Sequence, residues 1–134
     1  MVAATVNAQG RPSITRGWGA TVSPEGYVVV CITARTGSAM RSNLAANGRI
    51  AVTVVDPVTY TSAQVKGTVD VVRDPTDAEF DRVEAHMGRF TDAVVTVGVV
   101  DADCLMLGDL VAVGFMSAEA YDQTPGGSAG KALA

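Results

Sequence analysis

The order of apolar and polar residues predicts three short strands at the start of the chain. Apolar-rich runs occupy residues 2–6, 13–22 and 27–33, and the sequences Asn-Ala-Gln-Gly and Ser-Pro-Glu-Gly separate them. Short apolar runs joined by turns rich in Asn, Pro and Gly are typical of β-hairpins. The third run has no polar position from Tyr27 to Ile32, so we expect a strand that is buried on both faces.

Three further strands are predicted at 49–55, 62–73 and 109–121. The run at 62–73 alternates most regularly, which gives it one apolar face and one face open to water or a ligand. Its polar face carries Gln64, Lys66, Thr68 and Asp70, and its apolar face carries Val65, Val69 and Val71. Gly67 interrupts the apolar face, where we expect a bulge or a close backbone contact. The tail from Gln123 is rich in Gly and is predicted to be irregular.

Two helices interrupt the strands. The first is predicted at 39–47, where an Asn-Gly pair is a typical C-terminal signal. The second begins with Thr76 and Glu79 in the pattern of a capping box, and its apolar spacing predicts an end near Arg89. Residues 91–107 support two interpretations, because the valines favour a strand whereas the later Asp-Ala-Asp-Cys sequence resembles a capped helical turn.

Six strands with two inserted helices in 134 residues describe a mainly β chain. A small closed barrel of six strands fits this order best, because closure removes the exposed edges that an open sheet presents. A β-sandwich is the alternative, although helices inserted between strands are unusual in that class. The length suits one hydrophobic core, so residues 1–134 are expected to form a single domain.

The composition agrees with a folded, β-rich protein and argues against a disordered chain and against a nucleic-acid-binding function. An apolar fraction of 48% with 18% charged residues excludes a disordered chain. Valine and threonine are abundant and aromatic residues make up only 5%, so we expect valine side chains to fill the barrel. The net charge of -4 argues against a nucleic-acid partner, because little positive charge is available for phosphates.

The sequence also bears on the compartment. No apolar run reaches the roughly 18 to 20 residues that span a bilayer. Residues 1–12 lack the basic and apolar segments of a secretory signal. We therefore expect a cytoplasmic protein with no membrane partner. Cys31 and Cys104 lie in apolar surroundings and are expected to be buried thiols, with a disulfide as the less favoured alternative.

The sequence carries few groups typical of catalysis. One histidine and two cysteines are too few for a His- or Cys-rich zinc site, so no metal ligands are predicted. The histidine, His86, lies in a charged stretch and is expected to be exposed to solvent. No Ser–His–Asp set and no suitably spaced carboxylate pair is recognisable, so the catalytic residues are not identified.

Five segments of the chain resemble a known family, the FMN-binding split barrels related to pyridoxamine 5'-phosphate oxidase. The segments are Ala4–Pro12, Thr33–Leu44, Asn47–Val52, Gln64–Gly67 and Tyr121–Gly126. Each segment is short, and their order and spacing carry the resemblance, which covers essentially the whole chain. It implies a dimeric six-stranded split β-barrel with FMN in the groove between two copies. It also implies an FMN-dependent oxidoreductase that acts on a small molecule.

The resemblance further implies which residues hold the cofactor. In relatives, the segment after the third strand binds the FMN phosphate, for which hydroxyl, guanidinium and helix-start N–H groups are suitable donors. Relatives also place residues of the second strand beside the ring or phosphate, and a glutamine of the fifth strand against the ring. The expected cofactor-binding residues are therefore Arg16, Trp18, Thr33, Arg35, Thr36, Ser38, Arg41, Gln64 and Lys66.

The same residues have structural interpretations that do not involve a cofactor. The Thr-Gly-Ser sequence suits an ordinary helix start. Arg16 and Arg41 suit exposed surface charges, and Trp18 suits packing or an interface anchor. Gln64 and Lys66 suit the outer face of a strand.

The position two residues after Ser38 departs from the family pattern, because relatives carry a basic residue there and this chain carries Met40. Arg41 is adjacent, but one residue turns a helix by about 100° and directs the side chain elsewhere. Either Arg16 or Arg35 compensates, or the chain binds a deazaflavin coenzyme or haem, or it binds no cofactor. A deazaflavin-dependent reductase and a non-catalytic flavin- or haem-binding module are therefore the alternatives.

Overall fold

The computed structural model describes residues 1–35, 38–99 and 108–133, which form six β-strands and two α-helices. In chain order, the elements are β1 (Val2–Val6), β2 (Pro12–Val22), β3 (Tyr27–Thr33), α1 (Ala39–Asn47), β4 (Arg49–Val55), β5 (Ser62–Arg73), α2 (Asp77–Thr96) and β6 (Leu110–Asp122). The strands close into an antiparallel barrel in the order β1-β2-β3-β6-β5-β4. The predicted six-stranded barrel is confirmed, and the sandwich alternative is wrong.

Strand β3 is buried on both faces, as its unbroken apolar run predicts. Val28, Val30 and Ile32 belong to the core inside the barrel. Cys31, on the opposite face, belongs to a second apolar cluster between the barrel and α2. Strand β6 follows the same pattern, with Phe115 inside the barrel. The core therefore has two layers, one inside the barrel and one beneath α2.

Helix α1 is anchored in the barrel core. Met40 and Leu44 are both buried there. The helix begins where Ser38 Oγ accepts a hydrogen bond from the N–H of Arg41 at 3.4 Å. It ends at Gly48, whose φ of 64° is in the left-handed region, as the Asn-Gly pair predicts.

Helix α2 begins at the predicted capping box. Glu79 N–H donates to Thr76 Oγ1, and Thr76 N–H donates to the Glu79 carboxylate at 2.8 Å. The buried carboxylate also accepts two hydrogen bonds from Arg73, at 2.6 and 2.8 Å. The Arg73 guanidinium group, with the backbone and side chain of Thr76, holds the pKa of Glu79 at about 2. This network fixes the start of α2 to the end of β5.

The end of α2 differs from the sequence prediction. The helix continues to Thr96 rather than ending near Arg89. Residues 91–96 are therefore helical. Extending a helix that has already formed costs little free energy, so the modest strand preference of the valines is overridden. Residues 100–107, including Cys104, lie outside the described residues. Neither described helix combines the length and the apolar character that crossing a bilayer requires.

Gly67 on β5 lies at the predicted irregularity. The pairing of β5 with β6 shifts register between Lys66 and Gly67, and again between Val69 and Val71. A Cβ atom at Gly67 would overlap the carbonyl oxygen of Met116. Both expectations, a bulge and a close backbone contact, are confirmed.

Two rows of paired residues form a face on the outside of the barrel, since residues paired across antiparallel strands share a face. One row is Arg16, Val2, Thr53, Gln64 and Tyr121, and the other is Ile14, Ala4, Ala51, Lys66 and Glu119. These ten residues are called the outer face below. Helix α2 packs elsewhere, against a cluster from β2, β3 and β6. Val2 and Ile14 are consequently 41% and 70% exposed.

The valines are divided between the inside and the outside of the barrel. Val28, Val30, Val52, Val111 and Val113 are buried. A second group is exposed and includes Val2, Val22, Val54, Val55, Val71 and Val72. The expectation that valines fill the barrel is correct only for the first group, because alternate strand positions point outward.

The tail after β6 folds back along that strand. Asp122 N–H donates to the carbonyl of Lys131 at 2.9 Å, and Leu133 N–H donates to the carbonyl of Ala120 at 2.9 Å. The tail is irregular, as predicted, and its backbone is hydrogen-bonded to the barrel.

Candidate functional site

A cleft opens where β2 and β3 separate. The two strands pair only from Gly17 onward, so the beginning of β2 and the β3–α1 connection leave a space of about 350 Å³. Its lining residues are Ser13, Ile14, Thr15, Thr33, Arg35, Ser38, Ala39 and Met40. The structure therefore brings together three of the residues expected at a phosphate, namely Thr33, Arg35 and Ser38.

The first turn of α1 gives this cleft a preference for anions. Ser38 Oγ is occupied by its bond to the N–H of Arg41. The N–H groups of Ala39 and Met40 belong to the first turn, where the N–H groups of a helix have no intrahelical acceptor. Because helix dipoles place partial positive charge at this end, a phosphate or carboxylate is favoured here.

Arg41 does not line the cleft, but its side chain reaches the β3–α1 connection beside it. Its Nε donates to the carbonyl of Ala34 at 3.0 Å, which lays the guanidinium group against the β3–α1 connection. Met40 is 4% exposed, packs into the barrel core and lines the cleft. Arg35 is exposed at the same cleft, whereas Thr36 lies outside the described residues.

Gln64 and Lys66 lie on the outer face rather than in the cleft. Gln64 Nε2 donates to Thr53 Oγ1 at 3.0 Å. Lys66 Nζ lies 3.8 Å from Glu119 Oε2 and 4.4 Å from the ring centroid of Tyr121. In the barrel, β4 and β1 lie between β5 and β2. Neighbouring strands are about 4.8 Å apart, so β5 and β2 are separated by about 14 Å. One protomer therefore does not bring these two side chains to the cleft.

Arg16 and Trp18 share a strand but have different environments. Arg16 is exposed on the outer face. Trp18 is only 3% exposed and packs with Cys31 and Val83 beneath α2, with its ring 6.1 Å from the ring of Phe90. Its Nε1 is buried without a partner among the described residues. The packing interpretation accounts for this position of Trp18, and its ring is covered within the protomer.

His86 is half-buried, so the expectation that it is exposed is wrong. The N–H of Gly19 donates to His86 Nδ1 at 3.0 Å. Gly19 has a φ of 59°, and a Cβ atom there would lie 3.0 Å from the amide nitrogen of Val83. Burial, followed by the nearby amino group of Met1 and by Arg89, lowers the pKa of His86. In the sequence, the glycine that follows Trp18 is the signal of this close helix–strand contact.

Other groups typical of catalytic sites are scarce. Residues 1–35, 38–99 and 108–133 contain no cluster of three His, Cys, Asp or Glu side chains that would hold a metal ion. Cys31 is a free, buried thiol, and burial raises its pKa. Six of the expected cofactor-binding residues lie in the cleft at the β3–α1 connection, called the anion cleft below, or on the outer face.

The strand order and the cleft at the β3–α1 connection define the class as a six-stranded split barrel. A profile of the family described as pyridoxamine 5'-phosphate oxidase matches residues 1–103. The chain belongs to this family. No curated protein sequence matches it.

Solved structures with the same fold are similar over most of this chain. An F420 reductase is 22% identical with a TM-score of 0.56, over 89% of this chain and 86% of its own. HupZ of Group A Streptococcus is 17% identical with a TM-score of 0.54, and the match covers 96% of this chain and 88% of HupZ. A third structure is a Clostridium acetobutylicum protein related to general stress protein 26 and described as of the pyridoxinephosphate oxidase family. It is 16% identical with a TM-score of 0.52, and the match covers 92% of this chain and 78% of its own. At these identities the similarity establishes the fold.

Proposed function

We propose that this protein is an FMN-dependent oxidoreductase that acts on a small molecule and binds its cofactor between two copies of the chain. The cleft at the β3–α1 connection is the observation that carries the proposal. It combines the first-turn amides of α1 with the guanidinium group of Arg35, and the guanidinium group of Arg41 lies against the adjoining β3–α1 connection. Such donors match the charge and the acceptor oxygens of a phosphate group.

The residues of this chain supply binding and orientation. FMN, when bound, provides the transfer of a hydride or of electrons. Arg35 and Arg41 offset the phosphate charge, and Ser38 orders the first turn of α1 that donates to it. On the outer face, the Gln64 amide and the Lys66 ammonium group are hydrogen-bond donors for ring oxygens and nitrogens. A site of this kind needs no catalytic triad.

A homodimer would complete the site. The outer face has a floor of small residues, Ala4 and Ala51, with Ile14 on one side and Lys66 on the other. A shallow groove of about 410 Å³ lies over this floor. A cofactor lying there would be open to water, whereas a second barrel on the same face would exclude water and bury Val2 and Ile14.

The tautomer of His86 favours a flavin over haem. Because Nδ1 accepts the N–H of Gly19, the neutral ring carries its proton on Nε2. A nitrogen that coordinates haem iron must instead present a lone pair. His86 is the single histidine of the chain, so no other histidine is available as an axial ligand. A deazaflavin coenzyme, which also carries a phosphate, is the second candidate because the same cleft suits it.

An absorbance titration with FMN tests the proposal. We expect the purified protein to take up one FMN per chain and to be a dimer by light scattering. Arg41→Ala is expected to weaken FMN binding about tenfold, since it removes a charged donor beside the cleft. Lys131→Ala removes a positive charge from the distant tail and is expected to leave binding unchanged. A protein that takes up no FMN, or that develops a Soret band with haemin instead, contradicts the proposal.

A further inference from the structure

A second cleft lies between α2 and the turn that joins β4 to β5. It encloses about 510 Å³, and the residues that matter here are Arg82, His86, Arg89 and Phe90 of α2 with Val55 and Asp56 of the turn region. We call it the α2 cleft. His86 also lines an adjoining cleft of about 570 Å³ beside the C-terminal tail. The two spaces meet at this histidine.

His86 offers the α2 cleft a hydrogen-bond donor of fixed direction. Its Nδ1 is held by the N–H of Gly19, so Nε2, on the far side of the ring, carries the proton. No acceptor for Nε2 is found among the described residues. A neutral imidazole held in this way donates to an oxyanion without needing to be charged itself.

The charges around the α2 cleft favour an anion. Two guanidinium groups, Arg82 and Arg89, and the amino group of Met1 line it against one carboxylate, Asp56. That carboxylate already accepts the N–H groups of Val58 and Thr59 in its own turn. Arg82 Nη2 lies 3.7 Å from Glu79, but its Nε is buried without a partner in the described part of the chain. Positive charge and donors therefore exceed the acceptors available to them.

The remaining walls are apolar. Phe90, Ala93 and Ala20 line the cleft beside the guanidinium groups, and Val55 closes it towards the outer face. A ligand with a small apolar or aromatic body and one oxyanion would satisfy both kinds of wall. A highly charged or extended ligand would leave the apolar walls unfilled.

We propose that the α2 cleft binds a small, mainly apolar molecule through one oxyanion, a carboxylate or a phenolate, with His86 Nε2, Arg82 and Arg89 as its donors. Val55 lines the cleft and lies two residues beyond Thr53 of the outer face, and its paired residue Ser62 lies two residues before Gln64. Two residues of a strand span about 7 Å, so the cleft begins about 7 Å along the strands from the outer face. Because the cleft adjoins the face assigned to the flavin ring, we assign its ligand as the substrate of the proposed reaction. This assignment rests on the proposed function, whereas the binding site itself does not.

The phenolate of 4-nitrophenol is a suitable probe, because its yellow colour reports ionisation directly. Binding to the purified protein should stabilise the phenolate, so the absorbance at a fixed pH near the pKa of the phenol should rise and saturate. His86→Asn removes the Nε2 donor, while the Asn carbonyl still accepts the N–H of Gly19. We expect His86→Asn and Arg89→Gln each to weaken binding at least fivefold, and Arg11→Gln, an equal charge change in the turn between β1 and β2, to leave it unchanged.

The single histidine gives a second readout that does not depend on FMN. A long-range ¹H–¹⁵N spectrum should show the Nε2-protonated tautomer, and the probe should shift its signal. No change in phenol ionisation, or equal affinity in wild type, His86→Asn and Arg89→Gln, would overturn the binding site. In FMN-loaded protein, a long-wavelength charge-transfer band should appear with the probe, and its absence overturns the assignment as substrate. Failure to bind FMN overturns the proposed function and leaves the phenolate titration of the α2 cleft intact.

Discussion

The N–H of Gly19 donates a hydrogen bond to His86 Nδ1 at 3.0 Å and so joins β2 to the middle of α2. The two residues are far apart in sequence, and glycine is required because α2 passes directly over this position. The bond has two effects. It holds the helix on the barrel, and it sets which nitrogen of the imidazole faces the α2 cleft.

This contact predicts a pH-dependent loss of stability. Burial lowers the pKa of His86 below its ordinary value of about 6.5. The unfolded chain therefore takes up a proton at a higher pH than the folded chain, and stability falls as the pH drops below about 6.5. The groups facing His86 are Arg82, Arg89, Asp56 and the amino group of Met1. Urea denaturation from about pH 8 to about pH 5 should show a smaller decline for His86→Asn than for wild type, and equal declines would contradict the prediction.

Gly67 predicts an asymmetric result for two similar substitutions. Gly67→Ala should destabilise the protein by about 2 kcal/mol or more, because the new Cβ meets the carbonyl of Met116 and the ring of Phe115. Gly88→Ala, on α2 with nothing within 4 Å of its Cβ, should stabilise it by up to about 1 kcal/mol. Thermal and urea unfolding measure both changes. A neutral Gly67→Ala variant would mean that β6 moves aside without cost.

Met40 predicts a gain of binding at the expense of stability. Its side chain lines the anion cleft while packing in the core, so Met40→Lys should extend an ammonium group into the cleft. We expect FMN affinity to increase about tenfold and stability to fall by about 1–2 kcal/mol. Fluorescence titration with FMN, beside urea denaturation, measures both. Unchanged affinity in a folded Met40→Lys variant would place the phosphate elsewhere.

The outer face predicts the site of dimer formation. Ile14 is 70% exposed near the start of β2, and replacing it with Asp should disrupt a dimer formed through this face. Val22→Asp is the matched control, since Val22 is 63% exposed on the same strand but outside the two rows. Sedimentation velocity measures the oligomeric state. Loss of the dimer in Val22→Asp but not in Ile14→Asp would assign the interface to another surface.

The sequence predicts those features that depend on local rules. The capping box of Thr76 and Glu79, the C-terminal Gly48 and the irregularity at Gly67 each follow from a few neighbouring residues, and each is present in the structure. The extension of α2 to Thr96 is not predicted, because the helix overrides the strand preference of its valines.

The candidate site is less accessible to sequence analysis, since it depends on contacts between distant elements. The position of Arg41 depends on its bond to the carbonyl of Ala34 rather than on helix spacing alone. The burial of Trp18 and His86 follows from the docking of α2 on β2, which neither segment indicates alone. The outer face appears only once five strands are paired in register.

The burial of Trp18 between β2 and α2 has a practical consequence. It is the only tryptophan of the chain, so the intrinsic fluorescence comes mainly from the boundary between the barrel and this helix. A helix that leaves the barrel would wet the indole and shift its emission to longer wavelength, even with the barrel intact. A bound flavin absorbs in the same spectral region and would quench that emission by energy transfer. The protein thus carries a built-in optical reporter that separates local helix release from cofactor binding without any label.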